Sequence, residues 1–396
     1  MKKTLLAMAV GAAFAAPAAY ADVTISGAIN MGIEYSNVDG GEIDGADSVG
    51  HFGISNNYSN VTISSLEDLG GGLKLDFALQ IQLAPGNDTS ASLGNRNSHI
   101  GLVSDSWGGI WYGTNEQIYE RYLYTIDPID GAAGLGGNLQ ILGTPGGQVF
   151  GLYGPSESGY SFYRRDGQSL WYDSPNFNGF TFGVVWQMDF NAENDHASGS
   201  GTMDVDRNPM MFQLGGKYAG TALPVEVWAA IAYRKDQFGL SAAGLGGAGA
   251  DGSTDTGIHF GAAYTLGDIK LFAGYEMIEY ELDGVTSGYE QLDRDAWYVG
   301  LKWNLASGYL GAQYIMALEA DCDEVVTSAG CDDTGAQMIG IGYYHTMSKQ
   351  TQLYVVGSWL DNDDNGFYGT AGIGNDNMFL QGTRAYGLGV GIKHTF

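Results

Sequence analysis

The sequence predicts an all-β fold, a transmembrane antiparallel β-barrel of about sixteen strands, and three observations carry that prediction. Bulky apolar residues alternate with small and polar ones in run after run. The connections between those runs alternate between tight turns and long polar segments. After the N-terminal leader, no window holds the eighteen or more apolar residues that a membrane helix needs.

Composition narrows the classes further. The 396 residues include 63 Gly and 25 Tyr, with 45 acidic side chains against only 17 Lys plus Arg, a formal charge of −28. So acidic a chain has no electrostatic footprint for nucleic acid, and amphipathic helical periodicity is hard to find along it. The first stretch, MKKTLLAMAVGAAFAAPAAYA, places Lys2 and Lys3 before a short apolar run and a small-residue site at Ala19-Tyr20-Ala21, which reads as a secretory signal peptide over 1–21. Cleavage there leaves 375 residues, 22–396, as a single barrel domain. For an exported β protein of this length the candidates are a large sandwich, a propeller or an outer-membrane barrel.

Strand chemistry chooses among them. In Leu73 to Leu83, the apolar Leu73, Leu75, Phe77, Leu79, Ile81 and Leu83 alternate with Lys74, Asp76, Ala78, Gln80 and Gln82. One such strand suits a sandwich equally well. Its repetition does not: Val23 to Tyr35 sets Val23, Ile25, Ile29, Met31, Ile33 and Tyr35 against Thr24, Ser26, Asn30 and Glu34, and the last strand sets Tyr386, Leu388, Val390, Ile392 and Phe396 against Gly387, Gly389, Gly391, Lys393 and Thr395. Bulky apolar residues on one face and small or polar ones on the other suit a barrel with lipid outside and water inside.

Tight turns are expected near Gly70, from Ser104 to Gly109, from Pro175 to Gly179, from Gly220 to Pro224, at Leu266 to Asp268, from Leu305 to Gly308 and from Thr346 to Gln350. Longer polar segments fall at 37–47, 84–96, 191–208, 237–256, 282–294, 320–334 and 361–381, and a central segment at 115–166 makes an eighth. Eight long and seven short connections imply sixteen strands, an even number with short periplasmic turns and long external loops. Trp107, Trp111, Tyr112, Trp171, Tyr172 and Trp359 are among the aromatics that cluster where strands would cross the headgroup level.

The segment 115–166 is too long to be an idle connection in a compact fold. It is expected to fold into the lumen and narrow it. The charges that could line such a constriction are Glu116, Glu120, Asp127 and Asp130, facing Arg121, Arg164, Arg165, Lys74 and Arg96. Opposed charges across a lumen set a transverse field, and rings of charge set ion preference.

The chain resembles the Gram-negative general diffusion porins. The segments DVTISGAINMGIEY, SLEDLGGGLKLDFALQ, YDSPNFNGFTFG, YHTMSKQTQLYVVGSW and the closing GVGIKHTF resemble family signatures in matching order over nearly the whole mature chain. The resemblance implies a sixteen-stranded barrel in the outer membrane, assembled as a homotrimer, with the third loop folded inward. It also implies a water-filled channel for passive diffusion of ions and small hydrophilic solutes, among outer-membrane lipid and lipopolysaccharide, with no cofactor. Where relatives often carry an Arg-rich wall, this chain reads HFGISNN and GNRNSHIGL, leaving Arg96 as the main basic residue. With the loop carboxylates this predicts a weak preference for cations. A substrate-specific channel, a barrel enzyme and an adhesin are the alternatives; His51, His99, His196, His259, His345 and His394 are scattered and no zinc or nucleophile-elbow motif occurs.

Two further features bear on the loops. Cys322 and Cys331, the only cysteines, are expected to form a disulfide within one external loop. Asp361, Asp363 and Asn365 copy the first half of a calcium loop, but its twelfth position is Gly372 and not Glu, so the full motif fails and they form a weak calcium candidate beside the reading as a solvated acidic loop.

Overall fold

The computed structural model describes residues 22–40, 48–83, 96–129, 134–145, 161–163, 165–188, 210–220, 223–235, 254–281, 288–326, 331–369 and 381–396. Eighteen strand segments follow one another: β1 (Val23–Gly40), β2 (Ser48–Asn56), β3 (Asn60–Gly70), β4 (Leu73–Gln82), β5 (Ser98–Ser104), β6 (Gly108–Glu116), β7 (Arg165–Asp173), β8 (Phe180–Met188) and β9 (Met210–Ala219) form the first half. The second half is β10 (Val225–Lys235), β11 (Thr254–Leu266), β12 (Ile269–Glu281), β13 (Gly288–Leu305), β14 (Gly308–Ala317), β15 (Asp321–Val326), β16 (Ala336–Thr346), β17 (Thr351–Asn362) and β18 (Thr383–Thr395).

These segments make sixteen strands, because two strands are each interrupted once. β2 and β3 both lie antiparallel to β1, one beside Met31–Asp39 and the other beside Val23–Ala28. In the same way β14 and β15 share β13 as their neighbour. Every pairing is antiparallel and joins neighbours in sequence, and β1 pairs with β18 from Ala28↔Thr395 to Gly40↔Thr383. That last ladder closes the sheet into a barrel and leaves no edge strand.

Six tight connections fall where Gly and turn residues place them, and residues 221–222 of the seventh, expected from Gly220 to Pro224, lie outside the described residues. Gly70, Gly71 and Gly72 all take positive φ (84°, 63° and 81°), a backbone that only glycine adopts without strain. The strands run further into the loops than hydrophobic alternation reveals, however. Residues 288–293 and 321–326, expected in loops, are paired strand, because beyond the lipid there is no apolar face to mark the period.

The outer surface is apolar. On β18, Tyr386, Leu388, Val390 and Ile392 are 41–56% exposed, whereas Arg384 pairs with Asp361 at the long-loop end. Val23, Ile25, Ile33, Phe52 and Ile54 continue the band around β1 and β2. A water-soluble barrel would be an aggregation hazard with such a surface, and a lipid-facing one requires it. The lumen face is more varied than alternation suggests. It is small and polar on β1 and β18, where Asn30 and Glu34 point inward. From β10 to β17 it carries Trp228, Ile278, Tyr280, Leu292, Tyr298, Ile315, Met338 and Leu360, a buried apolar wall. The inward loop packs against that side of the barrel.

Candidate functional site

The long segment between β6 and β7 is not without regular structure. Its first turn is helix α1 (Ile118–Tyr124), and a 3-10 turn follows at Asn138–Gln140. The spacing explains the helix's orientation: Tyr119 and Leu123, four apart, lie on its buried side, while Glu120 and Tyr124, also four apart, share another stripe. Strand pairing continues through Asn115↔Asp166 and Glu116↔Arg165, so the loop proper starts and ends two residues inside the expected limits.

Leu123, Ile126, Leu139, Ile141, Leu142 and Phe162 of the loop join the apolar wall in one buried cluster. Polar bonds then fix its register. Tyr119 donates its backbone N–H to Gln213 Oε1 (2.9 Å) and its hydroxyl to Glu276 Oε2 (2.8 Å). The Gly143 amide also donates to Glu276 (2.9 and 3.0 Å to the two oxygens). Arg294 pairs with Glu276 at 2.7 Å and donates to the carbonyls of Ile141 (3.3 Å) and Thr144. Arg234, paired with Asp255 at 3.0 Å, donates to the Ser161 carbonyl at 2.9 Å. These charges are buried and each is paired, as burial demands, and Arg234, Arg294 and Glu276 also hydrogen-bond the loop. Close approach needs glycine on the wall: a Cβ on Gly311 would stand 2.0 Å from the Pro128 carbonyl oxygen, and one on Gly340 would stand 2.5 Å from that of Gly136.

Between the other side of this loop and the wall of β1, β3 and β18 lies a cavity of about 350 Å³. Arg96, Glu116, Asp127, Arg165 and Lys393 line it with Asn57, Tyr58 and Tyr124. Arg165 pairs with Glu116, lies 3.6 Å from Glu120, and donates to the Tyr124 hydroxyl at 3.3 Å. Tyr124 also bonds Glu120. Arg96 is steadied by Gln80 (3.3 Å) and Gln82 (3.5 Å) and lies over the Tyr58 ring, 5.3 Å from its centroid. Asp127 Oδ1 accepts from the Ile129 amide at 2.9 Å and from Gln313 at 3.4 Å. Glu120 is 2% exposed, and burial pushes its carboxyl up to about 7, with Arg165 acting in the opposite sense.

The fold therefore brings together Glu116, Glu120, Asp127, Arg165 and Arg96 of the expected residues. Arg121 is elsewhere: it makes a forked pair with Asp173 at 3.0 and 3.1 Å. Lys74 is also elsewhere, 3.4 Å from the 90% exposed Asp105 beside a tight turn. Its place in the alternation is the lumen face, but a residue second from the strand's start lies at the barrel's end. Alternation gives the face and not the depth. Asp130 and Arg164 lie outside the described residues. Sequence reasoning missed Lys393, although its position among Gly387, Gly389 and Gly391 put it on the lumen face. It also missed Tyr58, which takes φ 62° where β2 breaks from β3, a place that nothing in the sequence marks.

Cys322 and Cys331 are bonded, with Cα atoms 6.1 Å apart. Asp361 is taken by Arg384 at 2.9 and 3.2 Å, and Asn365 bonds the Asp332 carbonyl and the Gln381 side chain. Among the described residues no group of three or more His, Cys, Asp or Glu side chains is gathered for a metal ion.

A closed sixteen-stranded barrel with an apolar belt and a charged opening beside an inward loop defines a porin of the outer membrane. The comparisons with known proteins bear this out: the model of the Gram-negative porin family matches residues 6–365, and the chain belongs to that family. It is 29% identical to an outer membrane porin protein of Bordetella pertussis and 28% identical to outer membrane porin protein 32 of Delftia acidovorans, each over the full length of both chains. Among solved structures, an anion-selective porin from Comamonas acidovorans superposes with a TM-score of 0.73 at 22% identity, covering 95% of this chain and all of that one. The trimer form of an outer membrane protein of Vibrio cholerae follows the same fold with a TM-score of 0.60 at 14% identity, covering 95% of this chain and 99% of that one.

Proposed function

We propose that this porin passes ions and small hydrophilic solutes by diffusion through the opening between Arg96, Lys393 and the inward loop, with no chemical step and no cofactor. The observation that supports the reading best is the lined cavity itself, where fixed positive and negative side chains line the same space open to solvent. Such a field orients dipolar solutes and slows apolar ones that cannot exchange their hydration for these groups.

The expected cation preference finds no support in this arrangement. Among the described residues three cations, Arg96, Arg165 and Lys393, line the cavity against the carboxylates Glu116 and Asp127, and Glu120 adds only part of a charge near pH 7. Acidic external loops are screened beyond about 8 Å at physiological salt. The reading is a weak preference for anions. A chain assembled as a trimer, as one structural relative is, would bury outward apolar residues of the first and last strands.

Purified protein in planar bilayers should conduct in three equal steps, and a KCl gradient should give a small reversal potential of anion-preferring sign. Bilayers left silent by folded protein would overturn the channel reading. A strong cation preference at low and high salt would overturn the charge census, and a monodisperse monomer in several mild detergents would overturn the trimer.

A further inference from the structure

A second site faces the lumen on β4 to β7, away from the cavity. Trp111 alternates with the outward Ile110 and Tyr112, which are 47% and 51% exposed, so its indole lies inside the barrel. Two glycines let it lie flat against the wall. A Cβ on Gly101 would stand 2.2 Å from Trp111 Cδ1, and one on Gly109 would stand 2.1 Å from Cη2. No other residue type leaves room for the ring at either place.

The indole is also fixed within its plane. Trp111 Nε1 donates to Asp76 Oδ2 at 2.8 Å, and His99 Nε2 lies 3.2 Å from the same oxygen. Trp171, directly opposite on β7, is inclined only 15° to it with ring centroids 6.0 Å apart. Trp171 is covered by Ile118 and its neighbours, whereas Trp111 stays half-buried and the Asp76 side chain stays 28% exposed. Nearby Arg121 is paired with Asp173 and Lys74 with Asp105, so the anionic group at the ring's edge is the Asp76 carboxylate, held by Trp111 and His99. Glu116, which lines the eyelet cavity, is five residues further along β6 than Trp111, about 16 Å at the rise of a strand. The ring thus lies on the short-turn side of the constriction.

We propose that Trp111 and Asp76 form a subsite for planar organic cations, retained on the periplasmic side of the eyelet as they cross. An indole offers the most favourable aromatic face for a cation, and a carboxylate at its edge attracts the same charge. The wall glycines explain why the ring faces the lumen and does not stand on edge. The subsite rests on the diffusion reading above, since a solute must reach the lumen to meet it.

The test separates the two. Single channels in KCl alone report the diffusion pathway; adding tryptamine, a planar ammonium ion, reports the subsite. Tryptamine should interrupt the wild-type current reversibly, with the interruptions shortened about tenfold in Trp111→Leu and in Asp76→Asn. Asp76→Asn keeps an acceptor for Trp111 Nε1 and removes only the charge, so it carries the same readout if Trp111→Leu fails to fold. Neutral indole and glucose should interrupt far more briefly. Conducting channels that tryptamine leaves untouched, or interruptions as long in both variants as in the wild type, overturn the subsite. Indole or glucose acting as well as tryptamine overturns its assignment to cations. Channels silent in KCl alone overturn the diffusion reading and the subsite with it.

Discussion

Removing Glu276 should free the inward loop while the barrel survives. The carboxylate is fully buried and answers to three groups at once: Arg294, the Tyr119 hydroxyl and the Gly143 amide. In Glu276→Ala, Arg294 remains buried without its counter-charge, a loss of about 3–5 kcal/mol for one partner of such a pair. Leaving a hydroxyl and an amide without an acceptor adds about 1–3 kcal/mol each. The closed ladder of strands does not depend on these bonds, so the loss falls on the loop. Hydrogen exchange at the Leu142, Gly143 and Phe162 amides should accelerate by at least about a hundredfold, the factor that about 3 kcal/mol represents. Single-channel records should change from one steady level to several. The double variant Glu276→Met with Arg294→Met should recover only part of the protection, since it removes the unpaired buried charge but still leaves the Tyr119 hydroxyl and the Gly143 amide without their acceptor. A single Glu276→Ala variant with native exchange rates and one steady conductance would refute the clamp.

Two further outcomes follow from the same geometry. Gly311→Ala places a methyl where the Pro128 carbonyl now lies, so the loop must withdraw at a cost of about 1–3 kcal/mol; conductance should change, and an unaltered channel would show that the loop does not rest on that glycine. Glu120, raised by burial to about 7, favours its neutral form in the fold, so its contribution to stability is complete below the ordinary carboxyl range and is lost as pH rises through about 7. Between pH 6 and 8 the eyelet therefore gains negative charge and its anion preference should weaken, whereas Glu120→Gln should show no such change; identical profiles for the two would place the titration on another group.

Sequence alone determined the barrel. Alternation on β1, β4 and β18, with seven tight turns against eight long connections, fixed strand number and topology, because a chain in lipid must pair every backbone group and turn its apolar face outward. The loop's carboxylates were equally legible, for Glu116 and Glu120 stand in an unusually long connection. What folding decided was distance along the barrel axis and across it. Lys74 and Lys393 share the lumen face by parity, yet one reaches the eyelet and the other ends beside Asp105 at a turn. The buried wall of Trp228, Tyr280 and Tyr298 reads in sequence as ordinary strand aromatics, and only the fold shows that the loop packs on it. The ion preference depends on the same undetermined distances: Arg165 and Glu116 are 49 residues apart in the chain, and their pairing arises when β6 meets β7 in register. A one-dimensional pattern records which face a side chain takes, while Coulomb interaction depends on separation in three dimensions, which closure of the barrel and docking of the loop decide.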